Sequence, residues 1–178
     1  MSFEVKRYHP ALITLHWLLA IAILGMYVFG SFVLDDMDNT DLSLPGLLSL
    51  HLIIGVAILV LTVVRLTIRV RMPRPDPVPG SRGAQKVATA LQHSMYTLTV
   101  LIVLSGLALA YFAHLFGVLY GHTGTLPKDF DDFTSHDIHG WLADGLMVVV
   151  GLHVAAALQH QFLLKDGIMS RMSLFVKN

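Results

Sequence analysis

The stretch HGWLADGLMVVVGLHVAAALQHQFLL, His139–Leu164, decides how the chain folds. It is long and apolar enough to cross a hydrocarbon layer about 30 Å thick as a helix, because a lone segment in lipid must satisfy its own backbone hydrogen bonds. His139 and His153 stand fourteen residues apart within it. That spacing turns a helix through almost four whole turns and lifts it about 21 Å. The two imidazoles therefore share one face, His139 near a membrane edge and His153 well inside.

Three further apolar runs, 11–34, 47–68 and 87–119, join 139–164 as predicted spans of an all-α, integral membrane four-helix bundle. The composition agrees: 54% of the 178 residues are hydrophobic and 13% charged, with a mean hydropathy of +0.66, too apolar for a soluble domain of this size. The chain reads as one four-helix membrane unit over 1–178, with no soluble domain between spans and nothing that marks a nucleic-acid partner. The first run is longer than a signal-peptide core and is expected to remain as an anchor. Cysteine is absent, which excludes disulfides, thiolate zinc sites, iron–sulfur clusters and covalent haem attachment.

Charge orients the bundle. Lys6, Arg7, Arg65, Arg69, Arg71, Arg74, Arg82, Lys86, Lys165, Arg171 and Lys177 fall on one side, and Lys128 alone on the other. The positive-inside rule then places both termini and the second connection in the cytoplasm, with the first and third connections outside. These outer loops carry Asp35, Asp36, Asp38, Asp41, Asp129, Asp131, Asp132 and Asp137.

With that orientation four histidines pair by depth: His16 with His153 in the inner half, His51 with His139 near the outer face. Histidine inside a span is costly enough to count as a functional candidate, although any one of them alone could serve as a hydrogen-bonded packing group. Two pairs of facing imidazoles suit two haems b held in a four-helix bundle, and the shortage of intramembrane carboxylates and thiols argues against a hard or thiophilic metal. Small residues at Gly55, Gly140, Gly151, Ala155 and Ala156 leave room beside the histidines, though they also serve plain helix packing. His93 and His114 form a rival set on the third run and rank second. His9, His122 and His136 read as solvated, as does Asp144 near the outer interface.

Arg65 and Arg69, one turn apart, are candidates for gripping haem propionates, since guanidinium binds carboxylate bidentately; lipid headgroup contact explains them equally well. His160 and His93 fall at the same interface, which makes that end a candidate quinone pocket where a histidine exchanges protons.

The strings HWLLA at His16, LHLIIGV around His51, VVRLTIRV with MPRPDPVP after it, LQHSMYTLTVLIVLSG in the third run and IHGWLADGLMVVVGLHVAAALQHQFLLKD in the fourth resemble the bacterial cytochrome b561 family over essentially the whole chain. The resemblance implies a four-helix membrane cytochrome with two haems b, whose axial ligands match His16, His51, His139 and His153. It is similar as well to cytochrome subunits of membrane-bound formate dehydrogenases and nickel–iron hydrogenases. Some members of the family oxidise superoxide outside and pass the electron to ubiquinone; here the acidic outer loops should repel an anion. The expected function is electron transfer across the inner membrane between an outside donor and a quinone. A relay subunit for a separate dehydrogenase or hydrogenase is the alternative, and a non-redox scaffold or transporter the remote one. Donor identity and oligomeric state are left open.

Overall fold

A computed structural model describes residues 7–73, 75 and 81–174; Lys6, Arg74 and Lys177 lie outside the described residues. Four long helices dominate: α1 Pro10–Phe29, extended by a π-helical turn Gly30–Leu34; α2 Leu44–Arg71; α3 Arg82–Phe112; and α5 Thr134–Gln159, extended by a second π-helical turn His160–Leu164. A short α4, Leu115–Tyr120, and a 3₁₀ turn, Ile168–Met172, complete the chain. All four long helices have the length and hydropathy of membrane spans.

Local chemistry starts and stops them. Pro10 opens α1, where a missing N–H costs nothing, and the His9 imidazole accepts from the Ala11 N–H at 3.3 Å. Ser81 caps α3, its hydroxyl accepting from the Ala84 N–H at 3.2 Å. The first turn of α3, Arg82–Lys86, is polar, so hydropathy alone begins this helix five residues late; α5 likewise begins at Thr134 rather than His139.

The third run corrects the expectation of one helix over 87–119. It breaks at Ala113–His114, where His114 adopts the left-handed conformation (φ 53°) and the chain turns into α4. His114 is thus a helix-capping residue beyond α3, exposed, and shares no helix face with His93.

Helices α3 and α5 pack most extensively, followed by α1 with α2 and then α2 with α3, while α1 meets α5 only sparsely. Few side chains are fully buried. One apolar cluster, Ala110, Ala113 and Leu115, lies under Leu52, Leu119, Phe130 and Phe133, where α4 closes one end of the bundle. Large apolar residues such as Ile21 (70% exposed), Val148 (65%) and Leu163 (76%) point outward; a molecule whose exterior is this apolar has lipid as its solvent.

The first and last described segments, from Arg7 and up to Leu174, meet at the opposite end from α4. The Arg7 guanidinium donates to the Ser173 carbonyl, the Tyr8 N–H to the Arg171 carbonyl at 3.3 Å, and the Trp17 indole N–H to the Met172 carbonyl at 2.8 Å. At the α4 end Asn39 ties the two acidic loops together, its side-chain amide donating to the Pro127 and Lys128 carbonyls at 3.1 Å each.

Candidate functional site

The fold brings the four depth-matched histidines together in two pairs. The ring centroids of His16 and His153 are 6.2 Å apart, and those of His51 and His139 are 6.0 Å apart. Both pairs meet edge-to-face, a contact rings also make at such separations without a metal. Two metal–imidazole bonds of about 2 Å each, together with the two ring half-widths, put centroids about 6 Å apart, so the same separation would also admit one iron between the rings of each pair. Among the described residues no cluster of three or more histidine, aspartate or glutamate side chains could form a metal site. Two facing imidazoles at each level could serve a metal whose other ligands come from a macrocycle.

The His51–His139 pair borders a space reached by all four long helices, walled by Ile23, Val56, Ile58, Val103 and Leu146. That apolar lining suits a flat, largely apolar prosthetic group. The His139 ring is anchored on α3: its Nδ1 lies 3.0 Å from the Ile102 carbonyl and 3.0 Å from the Ser105 hydroxyl. With Nδ1 donating to the carbonyl, Nε2 keeps its lone pair for a metal. Gly106 permits this approach, since a Cβ there would lie 3.0 Å from the His139 Cε1. His51 is held differently: it stacks on Phe29 with centroids 6.2 Å apart, and its buried Nδ1 has no hydrogen-bond partner. Gly55, Gly140 and Gly151 meet no protein atom within 4 Å of a built Cβ, so none of the three is needed for helix-to-helix contact.

At the other end Arg65 donates to the Tyr96 hydroxyl, and Arg69 donates to the Gln92 carbonyl oxygen at 2.7 Å. Both guanidinium carbons sit over the Tyr96 ring, 5.5 and 5.9 Å from its centroid. Neither forms an ion pair with a carboxylate among the described residues, and Arg65 Nε is buried without a partner. Two cations beside one aromatic ring, with no carboxylate partner among the described residues, could receive an anionic group.

His160 and His93, expected to converge with these arginines, are not joined to each other by any hydrogen bond or ion pair among the described residues. His93 is exposed on α3. His160 binds Asp166 through Nδ1, and this bond, ahead of any other cause, holds the Asp166 carboxyl below the usual carboxylate range. The sequence reading did not reach Asp166, Tyr96, Gln92, Ile102 or Ser105, because each acts through a partner on another segment. Asp144 is exposed, as expected, and its carboxylate also accepts from the Tyr27 hydroxyl at 2.9 Å across the sparse α1–α5 seam.

In the loops at the α4 end, Asp38 is held below its ordinary pKa chiefly by the Thr40 hydroxyl, and Asp41 by the Ser43 hydroxyl. Each carboxylate also accepts the backbone N–H of that residue at 2.8 Å. Their charges persist to lower pH than a free aspartate's.

Comparison with known proteins agrees with this geometry. The family model described as prokaryotic cytochrome b561 matches residues 7–173. The chain is 30% identical over 175 residues to the probable superoxide oxidase CybB of Yersinia pestis, covering 94% of this chain and 96% of that protein. It is 30% identical over 164 residues to cytochrome b562 of Cereibacter sphaeroides, covering 90% of each, and 29% identical over 189 residues to cytochrome b561 homolog 2 of Escherichia coli K12, covering 97% and 95%. With four apolar spans, facing imidazole pairs and a family match over nearly its whole length, the chain belongs to the prokaryotic cytochrome b561 family and is a multi-pass membrane electron carrier of the haem b type.

Proposed function

We propose that the protein carries electrons across the inner membrane through two haems b, the outer held by His51 and His139 and the inner by His16 and His153, from a donor on the outer side to a quinone at the inner end. The two ring-pair separations of 6.0 and 6.2 Å carry this reading. Each haem supplies, when bound, an iron that takes up and releases one electron.

The rest is the work of the chain. Helix α5 sets the spacing of the two sites, since the fourteen residues from His139 to His153 fix a rise of about 21 Å. Arg65 and Arg69 neutralise the propionates of the inner group, the anion that their shared position over Tyr96 is suited to receive. At the same end His160 offers a proton at Nε2 to a quinone oxygen, while Asp166 on Nδ1 holds the ring in place; His93 is the second candidate for that role. Orientation follows from Arg7, Arg65, Arg69, Arg71, Arg82, Lys86, Lys165 and Arg171 lying toward the termini and Lys128 toward the acidic loops.

Superoxide is the donor that the name of the Yersinia relative supports. The persistent Asp38 and Asp41 charges work against an anion at this face, which makes a neutral or cationic donor the better fit. The test begins with a spectrum and haem counting by pyridine haemochrome, where two haems b per chain are expected. Single substitution of His51, His139, His16 or His153 by Ala should remove one haem and leave the other. Retention of both in all four variants overturns the ligand set. Reduction of purified protein by a superoxide source, faster than the dismutation background and with quinone as acceptor, would establish the anionic donor despite the loops.

A further inference from the structure

One side of the outer pair has a support that the other lacks. His139 Nδ1 faces two oxygens, the Ile102 carbonyl and the Ser105 hydroxyl, each at 3.0 Å. The Ser105 hydroxyl in turn donates to the Ile102 carbonyl at 2.8 Å. A serine bonding back to the carbonyl three residues earlier is common within helices and by itself signifies nothing. Here the same hydroxyl reaches a ring on another helix. Gly106 is the next residue, and a Cβ at that position would meet the same imidazole at 3.0 Å from Cε1 and 3.2 Å from Nδ1. Ile102, Ser105 and Gly106 occupy relative positions 0, 3 and 4, one face of α3. This face thus combines two acceptors for Nδ1–H with the gap that lets the ring descend onto them. Across the same space the His51 Nδ1 is buried and has no hydrogen-bond partner.

We propose that Ser105 is a positioning residue for the outer haem: together with the Ile102 carbonyl it fixes His139 in the tautomer whose Nε2 faces the iron, and it lowers the reduction potential of that haem selectively. The inference rests on the ligand assignment above. An imidazole whose N–H is drawn toward an acceptor is a more electron-rich ligand through its other nitrogen, and it favours the more highly charged metal. The bifurcated arrangement means that loss of the hydroxyl leaves the Ile102 carbonyl still accepting. The change is therefore smaller than the 10–100-fold typical of removing a sole outer-sphere partner.

The experiment is a redox titration of the purified holoprotein, following both haems optically, for wild type, Ser105→Ala and Ser105→Thr. In S105A two haems per chain are expected, with the outer haem's reduction equilibrium shifted about threefold toward the reduced form, about 30 mV at 59 mV per tenfold change, and the inner haem unmoved. Ser105→Thr keeps the hydroxyl and should restore the wild-type value. Unchanged potentials in S105A, an equal shift of both haems, or a Thr variant that behaves like Ala each overturn the proposal. Should S105A lose the outer haem, a Thr variant that keeps it at wild-type potential supports the proposal, and one that loses it too overturns it. The His139→Ala haem count separates the two levels: if H139A keeps both haems, the ligand assignment has failed, whereas an H139A that loses one beside an S105A without a shift means that Ser105 alone was misjudged.

Discussion

Gly106→Ala tests how tightly the outer imidazole is seated. In an open helix this change would stabilise by about 1 kcal/mol through propensity. At position 106 the new Cβ lies 3.0 Å from His139 Cε1 and 3.2 Å from Nδ1, closer than a comfortable carbon contact. The ring cannot slide away without stretching its two 3.0 Å hydrogen bonds to Ile102 and Ser105. Overpacking of this kind costs about 1–3 kcal/mol, and with His139 as the proposed ligand the cost should fall on haem binding. A loss of about 2 kcal/mol corresponds to about thirtyfold in affinity. The assay is haem counting by pyridine haemochrome across a haem titration of the purified variant, with Gly25→Ala as control, since a Cβ at Gly25 meets nothing within 4 Å. The expected outcome is selective loss or weakening of one haem in G106A and none in G25A. Two haems bound at wild-type affinity in G106A would refute the claim that the ring is pinned to α3.

Other outcomes follow from the same structure. His114→Gly relieves a left-handed residue between α3 and α4 (φ 53°), and after the extra freedom of the unfolded glycine is subtracted it should stabilise by on the order of 0.5 kcal/mol, read as a higher thermal midpoint in detergent. Tyr27→Phe removes the hydrogen bond to Asp144; faster proteolysis with haem content unchanged is expected, because this bond ties a seam where few other contacts exist. Asp38 and Asp41 have lowered pKa values in the folded protein, so the loop-ordering contribution of each is present above the free-aspartate value and fades as pH falls through the lower folded value. Reduction by an anionic donor that keeps its charge in acid should accordingly quicken only as the pH falls below the free-aspartate range, and should quicken at neutral pH in the double variant Asp38→Asn with Asp41→Asn. A flat rate in both experiments would remove loop charge as a determinant of donor choice.

Much of the architecture could be read from the linear chain, for particular reasons. Hydropathy runs as long as 47–68 have no soluble explanation, and a fourteen-residue interval between His139 and His153 fixes their common face whatever surrounds them. The pairing of His16 with His153 and His51 with His139 needed only alternating helix direction. What stayed hidden depends on contacts or on backbone detail. Nothing in YFAHLFG marks a break: the run is apolar, lacks proline, and turns because His114 takes a conformation usually left to glycine or asparagine. The polar turn that opens α3 and the residues Thr134–Ile138 that open α5 lie outside any apolar window. Ser105 looks like an ordinary small residue in a span until the His139 ring is placed against it, and Asp144 looks like an interfacial charge until Tyr27 is found across the seam.

The uneven distribution of ligands among the helices has a consequence for how such a protein is made. On the proposed ligand set both imidazole rungs close on α5, the last of the four described spans to be synthesised, while α1 and α2 contribute one nitrogen donor at each level. During synthesis the N-terminal half can present only a single-sided, weak grip on iron, at either depth. Firm capture of both prosthetic groups must then await the arrival of the final helix, so that truncation anywhere before His139 should yield a colourless chain rather than one carrying a single pigment.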